Sequence, residues 1–382
     1  MKKREEKPAS LVKVVFLGGF GKAADVPEGT TLLEAASAAR IETAADCGGR
    51  GTCGKCRVRV SGLVSAPSET ERKHLTTSEL EKNIRLACEA RAVGECSVSF
   101  ENEAVSSEIL PFVSDYKQDP SVETNPLFPG KEPRYGVAID IGTTSLNIRL
   151  VEVMSGKAAA SAVAANPQRI RGADVATRIN YTIENGGGLT ELKVLVSERL
   201  SEMIEYLAKG RGLVTEDVNC AVVAGNPTMI SIVMGLDPKG IAQAPYAPPF
   251  TGPVVVEASE MGLRLAPGSK AAVLPIISAY VGADTVGAAL RVGLHKPGKP
   301  RLLIDLGTNA EIMLNTGKRL FCCSAAAGPA FEGAHIKHGM TARPGAIDRV
   351  DIDSGEVVLS TIGGAPPAGI CGAGLLDTIA AL

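Results

Sequence analysis

The stretch Asp46–Val60, DCGGRGTCGKCRVRV, decides how the first part of the chain folds. Starting at Gly49, the letters GRGTCGK match the G-x-x-x-x-G-K spacing of a phosphate-binding loop. Starting at Cys47, the same letters contain three thiols at metal-ligand spacing. A phosphate-binding loop needs Ser or Thr after its lysine to bind magnesium, and that position is Cys56. It also needs a strand before it and a helix after it, whereas here a helical pattern precedes and the alternating strand RVRVSG follows. The residues therefore favour a metal-binding loop.

The three thiols Cys47, Cys53 and Cys56 have C-x5-C-x2-C spacing. The glycines between them are Gly48, Gly49, Gly51 and Gly54. Glycine accepts positive φ and lets the backbone approach closely, so that its N–H groups can point at bridging sulfides. A fourth thiol has to come from elsewhere in the chain. Cys88, in the short apolar strand IRLACEA, is the better candidate, and Cys96 is the second.

The rest of the first hundred residues is rich in predicted strands. LVKVVFL and KAADVPE predict a hairpin, and TTLLEAASAAR predicts a short helix in which Thr31 and Glu34 have capping-box spacing. The loop between this helix and RVRVSG resembles that of the 2Fe-2S ferredoxins. Its spacing is one residue longer than the plant pattern C-x4-C-x2-C and is closer to the adrenodoxin-like branch. The resemblance implies an α+β domain of the β-grasp type over residues 1–104.

A structural zinc ion is the alternative for the same loop, because CGKC alone would suit a zinc knuckle. Zinc sites usually pair two C-x2-C units, and the sequence contains no second one. The prediction is therefore a 2Fe-2S cluster with four thiolate ligands. Those ligands are Cys47, Cys53, Cys56 and Cys88.

A change of composition separates two domains. Residues 105–133 have no periodicity and carry five prolines, which predicts an extended, semi-stiff linker. Residues 134–382 then alternate apolar strands, such as YGVAIDIG and VNCAVVAG, with helices, such as ELKVLVSERLSEMIEYLAKG. This alternation is typical of an α/β domain.

The second domain contains the same turn twice. The apolar strand in YGVAIDIGTTS leads to Asp140, and the one in RLLIDLGTNAE leads to Asp305, about 165 residues later. Glycines let such a turn approach an anion, amide and hydroxyl groups donate to phosphate oxygens, and each aspartate can hold Mg²⁺. Glu311 joins the two aspartates as a candidate catalytic residue. The candidate phosphate ligands are Gly142, Thr143, Thr144, Gly307, Thr308 and Asn309.

Two such turns, each between two strands, resemble the first and second phosphate motifs of the superfamily of acetate and sugar kinases, heat-shock chaperones and actin. The resemblance implies an actin-like, ribonuclease H-like ATPase whose hairpins face each other across a cleft and hold ATP and Mg²⁺. Gly372 and Gly374, in GICGAGLLD, are assigned to the base or ribose, with a plain glycine-rich turn into a helix as the alternative. The chain stops about 75 residues after the second turn, so we expect a truncated second half.

The whole chain is similar to the reductive activators of corrinoid proteins. The strings LIDLGTNAEI, CSAAAGPAFEGAHIKHGM and GICGAGLLD carry this resemblance. It implies ATP turnover coupled to transfer of one electron from the 2Fe-2S cluster to the Co(II) corrinoid of a partner protein, giving Co(I). It also implies an electron donor that the sequence does not identify and a homodimeric ATPase domain. Two alternatives stay open: a small-molecule kinase with a redox-sensing domain, and a ferredoxin-type carrier whose second domain only docks.

Charge and composition limit the classes of partner and the cellular location that we expect for the protein. The chain has 40 basic and 42 acidic side chains and a formal net charge of −2, so we expect neither nucleic acid nor an anionic membrane as the main partner. The N-terminus MKKREEKPAS lacks the apolar core of a signal peptide, and no apolar run has the length of a membrane span. We therefore expect a cytoplasmic protein whose nine cysteines are reduced thiols or metal ligands.

Overall fold

The computed structural model divides the chain into two compact units, one up to Asp284 and one from Thr285 onward. The structure describes residues 10–17, 21–39, 41, 47–100, 109–111, 135–307, 309–328, 330, 336, 338–340, 342, 344–353 and 355–382. Within these residues, no helix is both long enough and apolar enough to cross a lipid bilayer.

The first unit begins with a five-stranded mixed sheet in the order β2-β1-β5-β3-β4. Its strands are β1 (Leu11–Phe16), β2 (Lys22–Pro27), β3 (Arg57–Val64), β4 (Ile84–Leu86) and β5 (Ala92–Phe100). Its helices are α1 (Leu32–Ala38), α2 (Glu69–His74) and α3 (Thr77–Glu81). β1 pairs antiparallel with β2, as the hairpin pattern predicts, and parallel with β5. Strands and helices together form the predicted α+β arrangement.

Each of these three helices begins with a capping box. In α1 the Thr31 side chain accepts from the Glu34 backbone N–H, while the Glu34 carboxylate accepts from the Thr31 N–H at 3.0 Å. The same reciprocal pair opens α2 and α3. Such caps satisfy backbone donors that a short helix otherwise leaves unpaired, and each contributes about 1 kcal/mol. The predicted capping box of α1 is confirmed.

A buried ion pair joins α2 to the strand that precedes Cys88. The Arg85 guanidinium donates to both Glu71 carboxylate oxygens, at 2.8 and 2.7 Å, and Glu71 also accepts from the Leu86 N–H at 3.0 Å. Both side chains are almost completely buried. Because every charged atom has a partner, this pair fixes the position of β4 relative to the helix.

The remainder of the first unit is built on a seven-stranded sheet in the order β11-β12-β10-β7-β8-β9-β6. Its strands are β6 (Leu110–Pro111), β7 (Tyr135–Ile141), β8 (Ser145–Glu152), β9 (Lys157–Ala165), β10 (Val218–Gly225), β11 (Val254–Glu257) and β12 (Lys270–Val273). β7, β8 and β9 form an antiparallel meander, whereas β7, β10 and β12 run parallel. The carboxyl ends of β7 and β10 therefore lie side by side.

Helices accompany this sheet. They are α4 (Val175–Glu184), α5 (Gly188–Lys209), α6 (Pro227–Met234) and α7 (Lys239–Ala242), and a 3-10 turn, Pro167–Arg171, precedes α4. Of these helices, α5 and α6 contact strands of the sheet. The long helix α5 is the predicted amphipathic one. Its buried face includes Leu192, Val196 and Leu200, which pack in the core of the sheet. Apolar residues at helical spacing thus place this helix against the strands.

A short strand lies inside the segment predicted as an extended linker. Leu110 and Pro111 pair antiparallel with Val163 and Ala162 of β9, at the edge of the seven-stranded sheet. Proline is compatible with this place because an edge strand leaves one side of its backbone unpaired. All other residues of 105–133 except Ile109 lie outside the described part of the chain. The predicted limits of the linker and the two domains stay predictions.

The second unit contains two three-stranded sheets. The first has the order β13-β14-β15 and the second β17-β16-β18. Their strands are β13 (Arg301–Leu306), β14 (Asn309–Asn315), β15 (Leu320–Ala326), β16 (Ala346–Asp353), β17 (Glu356–Thr361) and β18 (Gly369–Ile370). Helix α8 (Ala283–Arg291) spans the boundary between the units, and α9 (Gly372–Ala381) packs on β16.

Candidate functional site

The loop from Cys47 to Cys56 is a series of tight turns. All four glycines between its cysteines have positive φ, between 64° and 84°. At Gly54 the turn is also crowded, because a β-carbon there would lie 2.9 Å from Nδ1 of His74. Only glycine satisfies both conditions at this position. The glycine-rich pattern is therefore explained by the shape of the loop.

The structure brings four thiols together in two pairs. The sulfurs of Cys56 and Cys88 lie 3.3 Å apart, and the thiols of Cys47 and Cys53 hydrogen-bond to each other. Cys47, Cys56 and Cys88 are buried, and Cys53 is partly exposed. Two pairs of thiols suit a cluster of two irons, each of which needs two thiolates.

The two thiols of a pair differ in their pKa values. Burial alone would raise the pKa of Cys47, but hydrogen bonds from Thr52 and Cys53 outweigh it and lower the pKa to about 7. The hydrogen bond with Cys88 lowers the pKa of Cys56, and the same bond together with burial raises the pKa of Cys88. Since the thiolate is the form that binds iron, each pair holds one thiol that ionises readily. The residues present thus fit a 2Fe-2S cluster.

Cys96 lies apart from this group. It is buried in the core of the five-stranded sheet, against Gly62 of the neighbouring strand β3. Burial is the sole cause that raises its pKa, whereas the pKa of Cys88 also responds to the charges of Cys56 and Cys47. The geometry therefore favours Cys88 over Cys96 as the fourth ligand.

The first predicted phosphate turn connects β7 to β8. Its Gly142 N–H donates to the Ser145 carbonyl at 2.9 Å, and a β-carbon at Gly142 would lie 2.6 Å from that oxygen. Asp140 is the second-last residue of β7, and Asn147 on β8 donates to its carboxylate at 3.5 Å. Asp140 thus lies at the end of the strand that leads into this turn.

Two side chains that the sequence analysis did not single out hold this turn. Asn226, at the end of β10, donates to the Thr143 hydroxyl at 2.9 Å and also caps α6 by accepting from the Met229 N–H. Arg178, fully buried in α4, donates to the Thr143 carbonyl at 2.5 Å. Asn226 carried a signal, since a polar residue directly after an apolar parallel strand lies where ligands bind in α/β sheets. The sequence carried no signal for Arg178, because a single arginine in an amphipathic helix is usually exposed.

The second predicted turn connects β13 to β14 in the second unit. Asp305 and Glu311 are directly paired across the two strands, so their side chains lie on the same face of the sheet. Glu311 accepts from the Ser324 hydroxyl at 3.0 Å, and the Gly307 N–H donates to the Asn309 carbonyl at 2.9 Å. Thr308 lies outside the described residues. The opposed arrangement of the two turns stays a prediction.

The two later glycines lie at the start of α9. Gly372 is its first residue, and Gly374 is buried so closely against β16 that a β-carbon there would overlap the Ile347 carbonyl. Close packing thus explains Gly374 without a ligand, which agrees with the alternative of a glycine-rich turn into a helix. A role for Gly372 and Gly374 in nucleotide binding stays a prediction.

Three family models match the chain in succession. Residues 15–93 match a 2Fe-2S iron-sulfur cluster binding domain, residues 135–297 the RACo middle region, and residues 299–382 the C-terminal domain of RACo, the ASKHA domain. The predicted order of a ferredoxin-type domain followed by an actin-like domain is confirmed by these matches.

Two relatives are named for work on corrinoid proteins. The chain is 35% identical over 252 residues to the corrinoid activation enzyme RamQ of Eubacterium limosum, covering 66% of this chain and 42% of RamQ. It is 29% identical over 222 residues to the [Co(II) methylated amine-specific corrinoid protein] reductase of Methanosarcina barkeri, covering 56% of this chain and 40% of that protein. The matched part of the chain thus spans less than half the length of these relatives.

A solved structure agrees over almost the whole chain. The structure of a reductive activator for corrinoid, iron-sulfur protein superposes with a TM-score of 0.61 and 31% sequence identity. The superposition covers 97% of this chain and 72% of that one. Domain order, sequence and fold agree across these comparisons, and the chain belongs to the family of reductive activators of corrinoid proteins.

Proposed function

We propose that the chain is an ATP-dependent reductive activator, which transfers one electron from a 2Fe-2S cluster to the Co(II) corrinoid of a partner protein and so produces Co(I). The observation that carries this proposal is that one compact unit contains both the four thiols and the glycine-containing turn at residues 142–144, which Asn226 holds through Thr143. The relatives named for corrinoid activation support it. A cytoplasmic location, an external electron donor and a homodimeric ATPase domain go with the proposal.

Each group of residues has a distinct part in this proposal. When bound, a 2Fe-2S cluster accepts and releases one electron at a time. Its ligands are Cys47, Cys53, Cys56 and Cys88. Three of these thiols are buried, so the protein excludes water from most of the site, while Cys53 lies nearer the surface. A partner that docks over Cys53 would therefore have the shortest path for an electron.

The two phosphate turns are proposed to bind MgATP. Gly142 lets the turn approach an anion, the amides and hydroxyls of Thr143 and Thr144 donate to phosphate oxygens, and Asp140 holds Mg²⁺ directly or through water. At the second turn, Asp305 and Glu311 place two carboxylates opposite each other on one face of the sheet. Like charges in this position repel, and a divalent cation would relieve the repulsion. Gly307, Thr308 and Asn309 are the remaining proposed phosphate ligands.

Energetics explain why electron transfer would need ATP. Each tenfold unfavourable step in a one-electron transfer corresponds to about 59 mV, or about 1.4 kcal/mol. If a nucleotide-bound conformation binds the reduced partner about 4 kcal/mol more favourably than the oxidised partner, it offsets an uphill gap of about 170 mV. Binding energy then does the electrochemical work.

The test is spectroscopic. The chain, loaded with iron and sulfide under anaerobic conditions, is mixed with a Co(II) corrinoid protein and a chemical reductant, and the Co(I) absorption band is followed. We expect Co(I) to accumulate with MgATP and not without it, and the Asp140→Asn variant to lose this dependence. Co(I) formation that is indifferent to ATP would instead support a ferredoxin-type carrier. A phosphorylated small molecule would support a kinase.

A further inference from the structure

The cysteine loop lies directly on the part of the chain that leads to the phosphate turn. Gly48, next to Cys47, packs on the Arg171 carbonyl so closely that a β-carbon would overlap this oxygen, and it would also lie 3.3 Å from the Thr177 methyl. Gly48 has a φ of +65°, so both its conformation and its surroundings require glycine. We define residues 171–177 as the seat of the cysteine loop.

The seat is held from the side facing α5. The Arg171 guanidinium donates to the Glu191 carboxylate at 2.7 Å and lies over the Tyr181 ring, whose hydroxyl donates to the same carboxylate at 2.6 Å. At the far end of the seat, Asp174 caps α4 by accepting from the Thr177 N–H at 2.7 Å. The Arg171 carbonyl that meets Gly48 is thus in a defined place.

Arg178 connects this seat to the phosphate turn. Its Nε donates to the Gly172 carbonyl at 2.9 Å, and its Nη2 donates to the Thr143 carbonyl. Its Nη1 contacts the Gln168 side-chain oxygen and the Met229 sulfur, each at 3.1 Å. One planar guanidinium therefore fixes two backbone carbonyls, one in the seat and one in the turn, in a geometry that lysine does not reproduce.

The hydrogen-bond partners of this arginine are all neutral groups, although the side chain is fully buried. Burial and the charge of Arg169 lower the pKa of Arg178 to about 9, although the negative charge of Asp174 in the seat acts in the opposite direction. A buried cation is retained when an anion compensates it. Asp174 supplies part of that negative charge, and a phosphate group on the adjacent turn would add to it.

We propose that Arg178 is a positioning residue that couples the first phosphate turn to the seat of the cysteine loop, so that binding of a nucleoside triphosphate and docking of the loop favour each other. The inference rests on the proposed function, because it requires a nucleotide at residues 142–144. Phosphate compensates the charge of Arg178 and holds the guanidinium in place, and the guanidinium holds Gly172 and hence the seat. By thermodynamic reciprocity, loosening the loop weakens nucleotide binding by the same factor.

The experiment uses the full chain, loaded with its cluster, and the non-hydrolysable ATP analogue adenylyl-imidodiphosphate with Mg²⁺. Hydrogen exchange of residues 47–56 and 171–177 reports docking, a fluorescent ATP analogue reports nucleotide affinity, and the electron paramagnetic resonance spectrum of the reduced cluster reports its surroundings. In the unmodified chain we expect the nucleotide to slow exchange of the loop about threefold or more, and to change the resonance spectrum.

Three variants separate coupling from local damage. Arg178→Lys keeps the positive charge but loses the planar guanidinium that bonds to both carbonyls. We therefore expect nucleotide to have no effect on hydrogen exchange of the loop in this variant. Gly48→Ala displaces the loop from its seat. We expect this variant to bind nucleotide more weakly, by the same factor by which nucleotide stabilises the docked loop in the unmodified chain. Gly49→Ala is the matched control: it has a similar φ of +84° in the same loop, but its β-carbon would meet Leu33 of the ferredoxin-type domain itself.

The outcomes separate this inference from the proposed function. If the unmodified chain does not bind the nucleotide, both are overturned. If it binds nucleotide while exchange and resonance spectrum of the loop stay unchanged, the coupling is overturned and the proposed function stands. The coupling is also overturned if Gly48→Ala and Gly49→Ala affect nucleotide affinity equally. Should Arg178→Lys fail to fold, the two glycine variants decide the question without it.

Discussion

The sulfur atoms of Cys56 and Cys88 lie 3.3 Å apart, although 32 positions separate the two residues in the chain. The contact closes a four-thiol site between the glycine-rich loop and the end of β4. Cys96, eight positions beyond Cys88, lies instead on β5, where it pairs with Gly62 of β3. This difference in position predicts different chemistry for two buried cysteines of the same domain.

Cys88→Ser is expected to abolish stable cluster binding, whereas Cys96→Ser is expected to retain it. The first substitution removes one of the four proposed thiolate ligands, and the second replaces a buried sulfur with a hydroxyl. Iron and sulfide analysis, together with visible absorption, measures the outcome: about two irons per chain in the unmodified protein and in Cys96→Ser, and well under one in Cys88→Ser. Equal loss of iron in both variants would contradict the assignment.

The iron-free chain is expected to show pH-dependent reactivity at Cys47. Its pKa of about 7 lies below the ordinary thiol value, so the thiolate and its alkylation rate rise through about pH 7. Burial raises the pKa of Cys96, which should react only at higher pH. Alkylation with iodoacetamide, mapped by mass spectrometry between pH 5 and pH 9, measures the reactivity of Cys47 and of Cys96.

The same lowered pKa has a consequence for stability. Because the folded-state pKa of Cys47 is below its unfolded value, folding is favoured by thiolate formation above the unfolded pKa, and this contribution is lost as the pH falls through about 7. We expect the iron-free chain to be less stable at pH 6 than at pH 9 through this group. A Cys47→Ser variant whose denaturation midpoint changed with pH as much as that of the unmodified chain would contradict this.

Glu71→Gln is expected to destabilise the ferredoxin-type domain by about 3 to 5 kcal/mol, because it leaves the buried Arg85 guanidinium without its anion. Glu69→Gln is the control on the same short helix, since Glu69 is exposed, and its effect should stay within about 0.5 kcal/mol. Urea denaturation followed by circular dichroism compares the two. If both variants unfold at the same urea concentration, the buried Arg85–Glu71 pair does not contribute to the free energy of unfolding as its geometry implies.

Asn226→Ala is expected to weaken nucleotide binding about tenfold, which corresponds to about 1.4 kcal/mol for the lost hydrogen bond to the Thr143 hydroxyl. The same change removes the cap of α6 and lowers stability by about 1 kcal/mol. Asn226→Ser separates the two effects, because serine caps a helix but is too short to reach Thr143. Thermal unfolding and titration with a fluorescent ATP analogue measure them independently. Recovery of affinity in Asn226→Ser would show that Asn226 acts only as a cap.

Local patterns accounted for much of the fold. The hairpin β1–β2, the capped helix α1 and the long amphipathic helix α5 were all predicted from residues within a few positions of each other. The strand Leu110–Pro111 was not, because two residues that include a proline carry no periodic signal. Its pairing depends on the edge of a sheet whose strands lie later in the chain.

The amino-acid sequence by itself determined the glycine-rich cysteine loop and the two aspartate-bearing turns, because spacing, glycine content and flanking strands are local properties. Tertiary structure decided which distant cysteine joins that loop, and it placed Asn226 and Arg178 against Thr143. The physical reason is that a buried side chain takes its role from the atoms that surround it after folding. The sequence does not show what surrounds an arginine in a helix, whereas the folded chain places Arg178 between Gly172 in the seat of the cysteine loop and Thr143 in the turn after β7.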